Sequence, residues 1–215
     1  ATRCFNGATE TCTMTFDACI LDIVEVGAAA YTPIFTKLAN VTFQLDGRHL
    51  GGGNQNITKV ELVDAGTGTG CASHTLLQDF PAGLPRAFSN GDPSYTFDFS
   101  YANAVANAKF RMTNSGGQVS CSSDNFTIRP QAFTLTSSAS NSGSSGTPVF
   151  RAGTDTFWVT ATAVYSSTTT TRYNATPKFD ATKASTTLAH LGTLTGTTFP
   201  AATSGVSTAT AFKYD

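Results

Sequence analysis

Residues 121–136 read CSSDNFTIRPQAFTLT. Two short alternating runs, NFTI and FTLT, stand on either side of an Arg-Pro, with no residues between them for an ordinary loop. Proline cannot donate a ladder hydrogen bond, and it pushes the residue before it toward extended backbone. The stretch therefore reads as one extended path: the last strand of one β-domain, a stiff hinge, and the first strand of the next. A linker of about 1–3 residues containing proline suppresses interdomain rotation, where a Gly/Ser linker would allow it. The joint comprises Phe126, Ile128, Arg129, Pro130, Phe133 and Leu135, with the four apolar side chains packing it.

Working outward, period-2 alternation recurs along the chain. It runs through TMTF (13–16), VTFQL (41–45), TKVELV (58–63), YTFDFSY (95–101) and KFRMT (109–113). In the second half it runs through TFWVTATAV (156–164), TPKFD (176–180) and ATAFKY (209–214). Gly, Asn, Asp, Ser and Pro cluster between these runs, which is the punctuation of β-turns. The run 19–31 is ambiguous. Its apolar positions suit a helical stripe, yet it is rich in β-branched residues. Many short strands at such spacing predict an all-β chain of tandem immunoglobulin-like β-sandwiches. The boundaries are 1–129 for a disulfide-braced first sandwich and 130–215 for a second.

The two halves share an outline. FPAGLPRAFSNGDPSYTFDFSY passes from an apolar-Pro turn through a polar loop into an aromatic strand, and FPAATSGVSTATAFKYD does the same. In the first half two more strands follow Tyr101; in the second the sequence stops after Tyr214. On this repeat the second sandwich is incomplete at its C-terminus, the chain is a piece of a longer one, and an open sheet edge is expected to pair with something.

Composition narrows the function classes. Charged residues make up 13% of the chain, against roughly 25% in ordinary soluble domains. Thr, Ser, Gly, Ala and Asn replace them, as on many extracellular β proteins. A formal net charge of −1 gives no electrostatic case for nucleic acid or for an anionic membrane. No apolar run approaches the ~18 residues of a membrane span.

All five cysteines, Cys4, Cys12, Cys19, Cys71 and Cys121, fall in the first 121 residues. No pair has CxxC spacing and the histidines are scattered, so disulfides in an oxidising compartment fit better than zinc. Cys71 and Cys121 each end a strand-turn unit, and a bridge between them is expected to tie those strand ends together. In the loop-entropy account, closing a loop of that length contributes about 4 kcal/mol. Cys4 and Cys12 are near enough to staple the N-terminal turn, leaving Cys19 odd.

The stretches FDAC…VGAAAYTPIFTKLANVTFQLD, KVELVDAGTGTGCAS, RMTNSGGQVSCSSDNFTIRPQAFTLTSSA, RAGTDTFWVTATAV and YNATPKFD resemble a domain of large bacterial surface proteins. It is typified by the C-terminal part of the MshQ-like proteins, encoded with mannose-sensitive hemagglutinin pilus machinery. The resemblance covers roughly Cys12 to Asp215, and CSSDNFTIRPQAFTL is its most specific element. It implies an exported, pilus- or surface-associated protein without catalytic activity, acting in pilus biogenesis or adhesion. In that family a strand ending like FKYD continues into further sequence.

No catalytic constellation stands out. TGTGC and LGGGN lack the strand–loop–helix setting of a phosphate cradle, and no DxDxDG-like spacing marks a calcium loop. Asp92 lies in a turn and Asp98 on the outward face of a strand whose Phe97 and Phe99 point in. No catalytic residue, metal or cofactor is therefore assigned. The lone tryptophan, Trp158, reads as a central core residue of the second sandwich, with an outward interface role beside Phe212 and Tyr214 as the alternative. The expected partners are other surface or pilus proteins, copies of the chain itself, or a glycan held by loops such as 47–56. A filament subunit polymerising by strand exchange and a glycan-binding adhesin module are the alternative functions.

Overall fold

The structure, a computed structural model, describes residues 5–6, 9–10, 21–50, 54–88, 94–138, 153–179 and 193–215. The chain is all-β, and no α-helix occurs among the described residues. A small hairpin pairs β1 (Phe5–Asn6) with β2 (Thr9–Glu10).

Two sheets share the first core. One has the order β3 (Leu21–Glu25), β5 (Phe43–His49), β9 (Ser94–Phe99). The other runs β4 (Lys37–Leu38), β12 (Phe126–Arg129), β10 (Val105–Asn114), β6 (Gln55–Asp64), β7 (Thr75–Asp79). In it β8 (Arg86–Phe88) also pairs with β6, and β11 (Val119–Cys121) with β10. Only β4 and β12 run parallel among the described pairs.

Alternation decides which face is buried. On β10, Ala108, Phe110 and Met112 are buried among the apolar side chains, while Lys109 and Arg111 lie on the opposite face. Across the gap Leu45, Phe97 and Phe99 come from the smaller sheet. The rings of Phe99 and Phe110, 4.3 Å apart at their centroids, join the two layers, and Phe110 stacks on Phe126 at 5.6 Å. Gly47 sits inside β5 because a Cβ there would come 2.8 Å from the Phe97 ring.

The second core lies on one sheet of order β13 (Ala132–Ser137), β14 (Phe157–Tyr165), β17 (Val206–Tyr214), β16 (Leu194–Thr195), with β15 (Thr168–Thr169) also paired to β14. The short helical turn η1 (Cys71–Ser73) belongs to the first half. Phe212 is the hub of the second core, its ring within 5.8 Å of Phe157, 5.5 Å of Phe179 and 5.7 Å of Phe199. The strands β9 and β17, which the repeat in the sequence equates, differ in place: β9 is an edge of its sheet, while β17 lies between β14 and β16.

Two readings are settled differently from a simple alternation pattern. The run 19–31 contains a strand at 21–25 and then a loop, so its helical stripe is not used. Residues 176–179 of TPKFD form no strand; Pro177 is buried and Phe179 packs as a loop residue on Phe212. Residue 180 and the run 13–16 lie outside the described residues.

Candidate contact surface

The loop after β3 contains no charged residue between Glu25 and Lys37. An apolar loop would ordinarily collapse against the core, and Ile34 does so. Its neighbours do not: Val26, Tyr31 and Phe35 are 54%, 59% and 69% exposed. Leaving such side chains in water forgoes about 1.5–3 kcal/mol each.

Three carboxylates hold the loop in this arrangement. The Asp46 Oδ2 accepts from the Gly27 N–H at 2.8 Å, the Asp22 Oδ2 from Tyr31 N–H at 2.7 Å, and the Glu25 Oε1 from Phe35 N–H at 2.8 Å. Asp22 and Asp46 are buried. The other Asp22 oxygen takes the N–H groups of Ile23 and Ser123, and Asp46 Oδ1 takes the Thr96 hydroxyl at 2.7 Å. A buried carboxylate is tolerated where several N–H donors replace its water. Lys37 closes the base of the loop on Glu25 at 2.6 Å. Tyr31 has φ +64°, a left-handed conformation that is uncommon for a bulky side chain and costs about 1–3 kcal/mol. The loop is thus pinned at three amides, with strain at Tyr31, and it presents apolar side chains to solvent.

The joint is polar where an apolar seam was expected. Phe126 and Ile128 are buried in the first core, so they serve that core instead of the junction. Phe133 and Leu135 are 41% and 54% exposed on the second sheet, with Phe133 edge-on to Tyr173 at 5.4 Å. Pro130 is buried and Arg129 exposed. The Arg129 carbonyl accepts from the Ala39 N–H at 2.9 Å.

Gln131 clamps the two halves. Its Nε2 donates to the Ala39 carbonyl at 2.9 Å, its Oε1 accepts from the Ser166 N–H at 3.2 Å, and its N–H donates to the Val164 carbonyl at 3.0 Å. A second clamp lies at Arg172, whose guanidinium pairs with Asp64 at 3.1 Å and whose N–H donates to Asn103 at 3.1 Å. Burial beside this pair raises the Tyr101 phenol above its ordinary pKa.

Cys71 and Cys121 form a disulfide, their Cα atoms 5.6 Å apart. It ties η1 to β11 over the outer face of the larger sheet. Beneath it, Arg111 pairs with the buried Glu61 at 2.7 Å and donates to the carbonyls of Ala72 and His74 at 3.2 and 3.1 Å. Burial alone would raise the Glu61 pKa, but hydrogen bonds from Arg111 and Lys59 outweigh it and hold the carboxyl below its usual range. Cys4, Cys12 and Cys19 lie outside the described residues, as do Asp92 and residues 51–53 of the 47–56 loop.

Trp158 is not a core residue. The core face of β14 is the one carrying Val159, Ala161 and Ala163, so Trp158 points to the opposite face and is 41% exposed. Phe212 is buried and offers no interface, whereas Tyr214 is half-buried. Asp98 faces outward and accepts from the Gln44 amide at 2.9 Å. Among the described residues, no group of three His, Cys, Asp or Glu side chains is placed to hold a metal ion, and no helix is long and apolar enough to cross a membrane.

Reading the sequence for catalysis, metal and hinge missed the pinned loop, the Gln131 clamp and the Asp64–Arg172 pair. The loop had one usable signal: an uncharged run with two aromatics and a proline in a chain otherwise rich in small polar residues. No family model matches the chain, and no curated protein matches it either.

Proposed function

We propose that the chain is a non-catalytic extracellular structural module of a bacterial pilus-associated or cell-surface protein. It consists of two immunoglobulin-like sandwiches in tandem and acts in adhesion or assembly through surface contact. The observation that carries the reading is the apolar loop 26–36, pinned by three carboxylates while Val26, Tyr31 and Phe35 stay exposed. Rigid aromatic anchors that need no reordering are what a contact surface uses.

Supporting observations come from both halves. The first has two facing, mostly antiparallel sheets whose strands cross between layers, as in immunoglobulin-like sandwiches. The second is an antiparallel sheet of five strands with an apolar core on one face. The Gln131 and Arg172 clamps supply the stiff joint that a rod or stalk requires. The Cys71–Cys121 disulfide suits an oxidising, extracytoplasmic compartment. The resemblance to the MshQ-like pilus proteins supplies the bacterial surface setting.

The test is deletion of the gene in the source bacterium, with adhesion and surface filaments measured before and after complementation. Loss of either, restored by the gene, is expected; a deletion strain identical to the parent in both overturns the reading.

A glycan-binding module is the second reading. A groove of about 690 Å³ between the halves favours it, with Asn107, Arg129, Tyr173 and Asn174 among its lining residues. Amides and a guanidinium can bond sugar hydroxyls while an aromatic ring packs on the sugar face. Shifts of amide NMR signals in the groove on adding neutral mono- and disaccharides would favour this reading over the first.

A further inference from the structure

The groove between the halves sorts its polar side chains into two sets. In the first, every group is engaged within the protein. The Asp64 carboxylate takes the Arg172 guanidinium at 3.1 Å and the Gly66 N–H at 3.0 Å. The hydroxyls of Thr67 and Thr127 donate to the carbonyls of Asp64 and Ala106 at 2.7 and 3.1 Å. In the second set, Asn107, Arg129 and Asn174 line the groove and are exposed, and their side chains make no hydrogen bond or ion pair among the described residues. Arg129 leaves β12 on the face it shares with Thr127, turned away from the buried Phe126 and Ile128. The charged residues of the lining are Asp64, Arg129 and Arg172. Asp64 and Arg172 neutralise each other, so the free charge of the groove is the positive one on Arg129.

We infer that the groove binds an acidic saccharide, with the sugar carboxylate on Arg129 and sugar hydroxyls on Asn107 and Asn174. An amide both donates and accepts, as a hydroxyl does, so it pairs with a sugar alcohol in either sense. A guanidinium bonds a carboxylate through two parallel N–H groups, the strongest pairing open to it. The free charge is single, which matches a carboxylate; a phosphate brings about −1.5 to −2 and would leave part of its charge unmet. A volume of about 690 Å³ falls within the roughly 300–1,000 Å³ of small-ligand sites, and it far exceeds what a bare inorganic anion fills. A peptide cannot add here as a strand, because β12 lies between β4 and β10 and its main chain is already paired.

Such a ligand touches both halves, since Asn107 and Arg129 stand on β10 and β12 while Asn174 follows β15. Binding therefore adds a contact across the joint, beside the clamps at Gln131 and Arg172. Arg129 serves the fold through its main chain: its carbonyl accepts from the Ala39 N–H, and it pairs with Leu38 of β4. Its side chain is thus open to substitution without disturbing β12. This inference rests on the glycan-binding reading above and narrows the ligand to sugars that carry a carboxylate.

Titration of the full chain with glucuronate and with glucose, followed by amide NMR signals, tests it. The first sugar carries a carboxylate where the second carries a hydroxymethyl group. Glucuronate is expected to shift the amides of 104–107, 127–129 and 171–175 and to bind at least about tenfold more tightly than glucose, the gain from one charged hydrogen-bonded contact. Added salt should weaken glucuronate binding and leave glucose binding unchanged. Arg129→Gln is expected to hold both sugars at the wild-type affinity for glucose, and Asn174→Ala to weaken both. Circular dichroism checks that each variant is folded. Acetate, a carboxylate without hydroxyls, is expected to bind at least about tenfold more weakly than glucuronate. Equal affinity of the wild type for the two sugars, a preference that survives Arg129→Gln, or acetate bound as tightly as glucuronate overturns the inference. If both sugars bind the groove equally, the glycan reading stands without its acidic preference. If neither shifts the groove amides at roughly 50 mM, both fall.

Discussion

The Tyr31 amide lies 2.7 Å from the Oδ2 of Asp22, a carboxylate buried on β3 nine positions earlier in the chain. That contact fixes an aromatic side chain outward at the cost of a left-handed backbone.

Replacing Asp22 should release the loop. Hydrogen bonds to a charged group are worth about 1.5–3 kcal/mol each, and Asp22→Ala leaves buried N–H donors without an acceptor. A loss of about 3 kcal/mol in unfolding free energy is expected. Hydrogen exchange at Tyr31 should speed up by more than the global loss explains, while exchange at Phe110 should follow the global change.

Glu61 should make stability depend on acid. Its folded pKa is below its unfolded one, so the unfolded state takes up protons first as pH falls. The contribution is fully present above the ordinary glutamate pKa and is lost as pH drops through the lower folded value. Urea midpoints measured from neutral to acid pH should fall in that window, and Glu61→Gln should flatten that part of the profile. At neutral pH the variant should lose about 1.5–3 kcal/mol, because the part-buried Arg111 gives up a charged hydrogen-bond partner.

Reducing the Cys71–Cys121 bridge should cost about 4 kcal/mol on the loop-entropy account, since 50 positions separate the cysteines. The Cys71→Ser/Cys121→Ser variant should show the same loss in urea unfolding, with no further change on adding reductant.

Gln131→Ala should loosen the joint without unfolding either half. Each lost hydrogen bond is worth about 0.5–1.5 kcal/mol. Small-angle scattering should show a wider spread of interdomain distances, and Gln131→Ala/Arg172→Ala a wider one still. An unchanged scattering curve for the double variant would contradict the clamp.

Much of the fold was legible because alternation reports burial directly. KFRMT, YTFDFSY and TFWVTATAV each fall in a strand, and Phe97 and Phe99 went inward, whereas Phe126, expected at the joint, packs in the first core. What failed depended on distant partners. Trp158 was assigned to the core on its residue type, but Phe179 and Phe199 cover the opposite face of β14, beside Val159 and Ala161. Gln131 was invisible as a clamp because its side-chain partners lie 92 and 35 positions away. The pinned loop depends on Asp46, which reaches Gly27 across 19 positions; no local pattern announces such a bond.

The most direct measurement compares adhesion of source cells carrying the wild-type gene, the deletion, or the Tyr31→Ser/Phe35→Ser variant, with surface display checked by antibody. The account predicts that the variant is folded, displayed at wild-type levels, and as deficient in adhesion or surface assembly as the deletion. A displayed variant that adheres and assembles like the wild type, in a strain where the deletion does not, would contradict it.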